Sequence, residues 1–429
     1  MKILFLSTRL PHAAVSGGHV IVRERIKRLA ARGHQIALAC FTEGDDLQHA
    51  HEFKDCLTEL ETRPLPEPIN LASRAVRLYC SHTPPYFADF ADPVLKKRVG
   101  EMVEHGRYDV AIAEFSPMGQ YLFRNPYLPA IRKITSCHFS VAASYRKVAD
   151  ILGWRLRGLR SWLNIKSLQR YEIEMFRNMD RVLVLTAKER FEILHHEPAL
   201  RISVIPAGVD TTYFTPAIEA KMEDAILFSG HFENLSNLDA AMWFVHEVWP
   251  VLKRRRSNLK FYIIGPGAQR TLQSLAARDP SVIVTGVVAD IRDYLRRARV
   301  FVCPVRLGSG LRVKILEAMA MGLPIVTTAL GSEGMPLHTG ENCFIADQPR
   351  LMADYIELLL TDDELRHKIS RHARALAVER FAWDHSIDML EDTLAEARTE
   401  HGATSSPMIG SSAPASFQSL ETSGTTTIG

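Results

Sequence analysis

The chain lacks a strong charge of either sign. Its 52 lysines and arginines nearly balance 49 aspartates and glutamates, leaving a net charge of +3 over 429 residues. A dedicated nucleic-acid binder carries a heavier basic footprint, so no nucleic-acid partner is expected. Cysteine is sparse and unpatterned. The six residues (40, 56, 80, 137, 303 and 343) contain no C-x-x-C pair, which excludes a closely spaced metal knuckle and a dense disulfide framework. Most lie in apolar runs and read as reduced core residues of a cytoplasmic protein. No apolar run approaches the roughly 20 residues that cross a bilayer. The opening MKILFLSTRLPHAAVSG mimics a secretory leader, but its apolar part, Ile3 to Leu6, is too short and Arg9 follows quickly. It reads as a buried first strand. No G-x-G-x-x-G follows that strand, which disfavours a dinucleotide cofactor, and no clear carboxylate pair or D-x-D offers a metal site. Neither cofactor nor metal is expected.

What is present is the material of two globular domains. Apolar residues make up 46% and charged residues 24%, as in ordinary soluble proteins, and 429 residues exceed one ordinary core. Strand-like runs alternate with helical ones in the first half: Lys2 to Ser7, Val20 to Arg32 stopping at Gly33, Gln35 to Phe41, then Tyr108 to Phe115, Ala130 to Cys137, Asp180 to Thr186 and Ile202 to Pro206. Alternation of this kind predicts an α/β fold with a parallel, doubly wound sheet. PAGVDTTYFTP (206–216) breaks the pattern, and a linker is expected over 207–224. The alternation then restarts: Ala225 to Ser229, a helix over Asn237 to Arg256, Leu259 to Gly265, Val282 to Thr285, Val300 to Cys303, Pro324 to Thr327 and Cys343 to Ala346, with helices over Arg350 to Ala377 and Trp383 to Arg398. Residues 399–429 are rich in Ser, Thr, Gly, Pro and Ala and read as a disordered tail.

The segment with most chemical content is VRLGSGLRVKILEAMAMGLPIVT (305–327). A strand enters a glycine-punctuated loop that opens a helix. Gly308 and Gly310 let backbone approach a ligand closely, and unsatisfied N–H groups at a helix start favour an anion. Arg312 and Lys314 add positive charge. Glu317 interrupts an otherwise apolar helix, where a carboxylate is costly unless something hydrogen-bonds it. Gly310 and Glu317 are expected on one helix face, two turns apart. The pattern suits a nucleotide diphosphate with its ribose, although glycine loops before helices and salt-bridged helix glutamates are common for purely structural reasons.

This segment resembles the donor site of glycosyltransferase family 4. Glu317-Ala-Met-Ala-Met-Gly-Leu-Pro-Ile-Val matches the second half of the family signature, and the chain resembles a subgroup that carries Gly-x-Gly-x-Arg-x-Lys-Ile-Leu-Glu. Ser309 stands where the usual signature has an acid. The resemblance implies a GT-B fold, two Rossmann-like domains facing across a cleft, with the acceptor mainly on residues 1–206 and the donor on 225–378. It also implies that the helix at 379–398 returns to the first domain.

It implies, further, a retaining, metal-independent hexosyltransferase that uses a nucleotide-diphosphate sugar and a glycan or lipid-linked acceptor. Attack is expected from the front face, with the departing phosphate as base. By the same resemblance Gly17 and Gly18 form a second nest, His138 sits near the reacting sugar, and Val287 lies by the nucleobase. Ser309, Gly310, Leu311, Arg312 and Lys314 hold the diphosphate, and Glu317 holds the ribose. His231 occupies a place where the family usually supplies a basic pair. Glu333 either accepts sugar hydroxyls or caps a short helix. Asn237 and Asp239 read as helix caps. Trp154 to Arg181, basic with spaced aromatics, reads as an amphipathic domain helix in preference to a peripheral membrane contact. Two rivals stay open: a subunit that binds a nucleotide sugar without turning it over, motivated by Ser309, and a GT-B sugar-nucleotide epimerase.

Overall fold

The computed structural model describes residues 1–12, 17–67, 83–138, 140–142, 145–146, 157–216, 222–267, 269–308 and 310–404. Ser16, Cys80, Trp154, Ser309 and nearly all of the tail expected to be disordered lie outside them.

The first domain is a seven-stranded parallel sheet in the order β3-β2-β1-β4-β5-β6-β7. Its strands are β1 (Lys2–Ser7), β2 (Gln35–Thr42), β3 (Leu57–Pro64), β4 (Val110–Glu114), β5 (Arg132–Cys137), β6 (Arg181–Val184) and β7 (Ile202–Val204). Helices α1 (Gly18–Ala31), α2 (Pro93–Gly106), α3 (Arg157–Arg177) and α4 (Ala187–His196) connect them. β1 and β4 are buried along almost their whole length because helices cover both faces. α3 sends Leu168, Met175 and Phe176 into a core shared with Val182 and Val184. β3 escaped the sequence reading. Its LTELETRP is a half-exposed edge strand whose charges suit solvent rather than a core.

The second domain is a six-stranded parallel sheet in the order β10-β9-β8-β11-β12-β13. It comprises β8 (Ala225–Ser229), β9 (Lys260–Ile264), β10 (Val282–Gly286), β11 (Val300–Cys303), β12 (Ile325–Thr327) and β13 (Phe344–Ile345). Its helices are α5 (Leu235–Trp243), α6 (Trp249–Arg255), α7 (Gln269–Ala276), α8 (Arg292–Arg297), α9 (Val313–Ala320), α10 (Pro349–Thr361) and α11 (Asp363–Phe381). α5 and α6 are the single helix expected over 237–256, interrupted by a π turn at Phe244–Val248. The helix expected over 350–377 is two: Asp362 leaves helical geometry and its carboxylate takes the Leu365 amide at 2.9 Å, capping α11.

The chain crosses between domains twice, side by side. Val209 donates to the Phe381 carbonyl at 2.7 Å, and Trp383 donates back to Val209. The last helix, α12 (Trp383–Thr404), then lays Ile387, Leu390 and Leu394 on the core that contains Ile3 and Phe5 of β1. In both sheets the strand order reverses beside the first strand, between β1 and β4 and between β8 and β11. Open parallel sheets bind ligands beyond the carboxyl ends of their strands at that reversal.

Candidate active site in the interdomain cleft

The two reversals face one cavity of about 640 Å³. From the first domain it is lined by Gly17 and Gly18 at the start of α1, Phe115 after β4 and His138 after β5. From the second come His231 after β8, Val287 after β10, and Gly310, Leu311, Arg312, Lys314 and Glu317 after β11. Ten of the twelve residues singled out from the sequence therefore meet at one place. Ser309 is outside the described residues. Glu333 does not line the cavity; its carboxylate pairs with Lys188 of α4 across the domains.

The loop before α9 turns because Gly308 and Gly310 adopt φ of +90° and +89°, a region that costs an L side chain about 1–2 kcal/mol. α9 therefore starts at Val313, later than the sequence suggested, and Gly310 does not share a helical face with Glu317. Arg312, at the N-cap of α9, makes no side-chain capping hydrogen bond to its first turn. Val313 and Lys314, its first two residues, line the cavity, where a helix start favours an anion. Leu311 and Val313 also pack against Ile21, Leu185, Ala207 and Trp383, so the loop rests on the first domain and on the crossing segments.

Lys314 donates to Asn237 Oδ1 at 2.6 Å and stands 4.7 Å from the Phe228 ring. Asn237 also donates to the His231 carbonyl at 2.9 Å, and Asp239 accepts from Arg306 at 2.8 Å. Neither caps a helix as expected. Asn234 does so, accepting from the Ser236 amide at 2.9 Å, because it stands one residue before α5. Burial drives the Lys314 ammonium down to about 8, with Arg312 adding to the shift, and lowers Arg312 as well. Burial raises the Glu317 carboxyl to about 7 against the pull of Lys314. Among the described residues nothing hydrogen-bonds the Glu317 carboxylate. These groups gain from a ligand that brings negative charge to the cations and hydroxyl donors to the acid.

On the opposite wall His138 Nε2 is 2.7 Å from Glu114 Oε2. Arg25 Nη1 donates to both Glu114 oxygens at 2.9 and 3.1 Å and to Ser136 Oγ at 2.9 Å. Burial opposes ionisation of Glu114, but Arg25 and His138 outweigh it and hold the carboxyl down at about 2. Sequence reasoning missed Arg25 and Glu114. A signal existed for the first: Arg25 lies four residues from both Ile21 and Leu29, inside the apolar stripe of α1. Among the described residues one group has metal-ligand proximity: His12, His49 and Glu52. It does not line the cleft. The two imidazoles stack face to face at 4.0 Å, and Glu52 already accepts from Arg23 at 2.9 Å.

Two Rossmann-like domains facing a shared cleft are the GT-B fold. The model described as Glycosyltransferase Family 4 matches residues 15–213, and that described as Glycosyl transferases group 1 matches residues 223–362, together more than three quarters of the chain. The protein belongs to glycosyltransferase family 4. Among solved structures, the sucrose-phosphate synthase of Thermosynechococcus elongatus superposes with a TM-score of 0.69 at 17% identity, covering 94% of this chain and 100% of that one. Anabaena HepE in complex with UDP does so with a TM-score of 0.69 at 14% identity, covering 92% and 100%. A D-inositol 3-phosphate glycosyltransferase of Acidothermus cellulolyticus is 28% identical over 257 residues, 53% of this chain. The match spans only 56% of that relative's length. No helix among the described residues is long and apolar enough to cross a membrane.

Proposed function

We propose that the protein is a retaining hexosyltransferase that takes a sugar from a nucleotide diphosphate and passes it to a glycan or lipid-linked acceptor. The observation that carries this reading is the single cavity in which Arg312, Lys314 and the start of α9 face His138 and Gly18. The diphosphate gains charge as the glycosidic bond breaks. Arg312, Lys314 and the first amides of α9 are placed to stabilise that charge without moving, which is electrostatic preorganisation. The Glu317 carboxylate takes the ribose hydroxyls. The hydrophobic seat of Leu311 and Val313 against the first domain supports a site that excludes water, limiting hydrolysis of the donor. Reaction without a metal or cofactor, and front-face attack with the departing phosphate as base, belong to the same proposal. So does a donor bound mainly by the second domain with the acceptor on the first.

A panel of UDP-, GDP- and ADP-sugars, read by thermal shift and then by transfer to candidate acceptors, tests the reading. A matching donor at 100 times its Kd stabilises the native state by about 2.7 kcal/mol. Retention is read from the anomeric configuration of the product. If no sugar nucleotide of the panel raises the melting temperature, the assignment fails. Binding without transfer to any acceptor points instead to a non-catalytic nucleotide-sugar subunit. Conversion of the donor with no acceptor present reveals an epimerase.

A further inference from the structure

A second cavity, of about 500 Å³, lies between α3 and α4 of the first domain. Among the described residues it shares no lining side chain with the cleft. Its volume is that of an ordinary small-ligand pocket. The segments that frame it start at the cleft. Ser140 and Ala142 follow His138 by two and four residues, and Leu185, which lines the cleft, stands two residues before α4. The inner walls are apolar: Ala142, Ile173, Phe176 and Ile193. Phe191 continues that wall to the mouth, where it is 73% exposed, so its ring is not an isolated apolar group on the surface. Glu172 also faces the cavity. Burial lifts its carboxyl to about 7, toward the uncharged form, against donors from Ser116 and Val141.

The other side of the cavity is basic. Arg146, His195 and His196 gather there, with the two imidazoles edge to face at 5.4 Å. Partial burial, and then the charges of His195 and Arg146, hold the His196 ring below its ordinary pKa. Arg146 donates to Gln169 at 3.4 Å and pairs with no carboxylate among the described residues. Glu192 lines the cavity too, but its carboxylate stands 3.9 Å from the Lys188 ammonium, which shares its charge. An anion at this side relieves the repulsion among the three basic groups, and phosphate suits a guanidinium flanked by N–H donors.

We propose that this cavity holds the hydrocarbon chain of an amphiphile whose phosphate head sits on Arg146, His195 and His196, the lipid part of a lipid-linked acceptor. The apolar walls and the basic side each select one half of that ligand. The site stands on its own geometry, and only its role in acceptor binding rests on the transferase reading of the cleft. A bilayer surface is a different partner, since it would touch Phe191 and Arg146 without filling the cavity.

Calorimetry of the full chain with octyl, decyl and dodecyl phosphate, each below its micelle concentration, tests the proposal without any sugar nucleotide. Affinity is expected to rise about fourfold for each methylene that enters the cavity. Dodecanol should bind about tenfold more weakly than dodecyl phosphate, the scale of one charge-assisted hydrogen bond. A chain-length series without a trend overturns the cavity, and equal binding of dodecanol overturns the phosphate head.

Ile173→Trp fills the cavity and is expected to abolish binding. If it does not fold, Phe191→Ser replaces it: that ring is exposed, so the fold should hold while dodecyl phosphate binds about tenfold more weakly. Arg146→Gln should cost about tenfold on dodecyl phosphate and nothing on dodecanol. Unchanged binding of dodecyl phosphate in Phe191→Ser or Arg146→Gln rejects the site. UDP, GDP and ADP should not displace dodecyl phosphate, because competition would place its head on Arg312 and Lys314 instead. Binding to phosphatidylglycerol vesicles without binding of any monomeric alkyl phosphate also rejects the cavity, in favour of a membrane-facing patch. Failure of every sugar nucleotide to bind would sink the transferase reading, and the alkyl phosphate series would still decide the cavity.

Discussion

The two walls of the cleft use the same kinds of residue under opposite conditions. On the first domain Arg25, Glu114 and His138 are buried, mutually hydrogen-bonded and close to neutral as a set. On the second Arg312, Lys314 and Glu317 are half-buried and share few partners, and the last two are driven toward their uncharged forms, at about 8 and about 7. The first wall has offset the desolvation of its charges from within the fold. Hydrogen bonds within the first set hold the His138 ring against Glu114, whereas the burial of Lys314 and Glu317 favours a ligand that supplies negative charge and hydroxyl donors.

The largest effect should come from breaking the self-contained wall. Arg25→Met strands Glu114 in the core and is expected to cost about 3–5 kcal/mol of stability, measured by urea unfolding. A loss under about 1 kcal/mol would mean that Glu114 simply takes up a proton and the wall is not an ionic set. On the opposite wall the same kind of change should leave the fold intact. Lys314→Met removes a cation that burial disfavours, so the ligand-free melting temperature should hold or rise, while affinity for the bound diphosphate falls by roughly 30- to 150-fold, or about 2–3 kcal/mol. A large drop in melting temperature would erase the contrast between the walls.

A subtler test is pH. Glu317 rises from an ordinary 4.5 to about 7. Between those values the folded chain holds a proton that the unfolded chain releases, so this group stabilises the ligand-free fold at low pH and that contribution is lost as pH rises through about 7. A ribose that donates to the carboxylate needs the opposite form. Nucleotide affinity should therefore weaken by up to about tenfold per unit as pH falls below 7, and Glu317→Gln should flatten that slope. A slope that survives in Glu317→Gln assigns the titration elsewhere. The smallest effect is expected at Lys188, about half exposed and paired with Glu333. Lys188→Ala should change stability by about 0–1 kcal/mol and leave nucleotide affinity alone. A tenfold loss of affinity would bring Glu333 back to the donor.

How far these features were legible follows from how locally each is encoded. β1, β8 and β11 could be placed to the residue because each is a short apolar run bounded by polar or glycine signals. β3 could not, because an edge strand with one solvated face carries its charges openly. The loop at 305–312 announced itself through two glycines and two cations within a few residues. The start of α9 was misplaced because helical periodicity continues backward through residues that a positive φ keeps out of the helix. Glu333 was named, for sugar hydroxyls or a helix cap alike, from its place in Gly331-Ser332-Glu333-Gly334, and its ion pair with Lys188 spans 145 residues of sequence.

By itself the sequence determined two parallel α/β domains, the break between them and the glycine loop before α9, since each rests on local periodicity and local backbone freedom. Only the tertiary structure decided which charges face the cleft and which face each other. Arg25 and Glu114 are 89 residues apart, and an arginine in an apolar stripe differs from a folding defect only through the position of its partner. Burial makes an unpaired charge costly enough for that pairing to be decisive, and burial is a property of the folded chain alone.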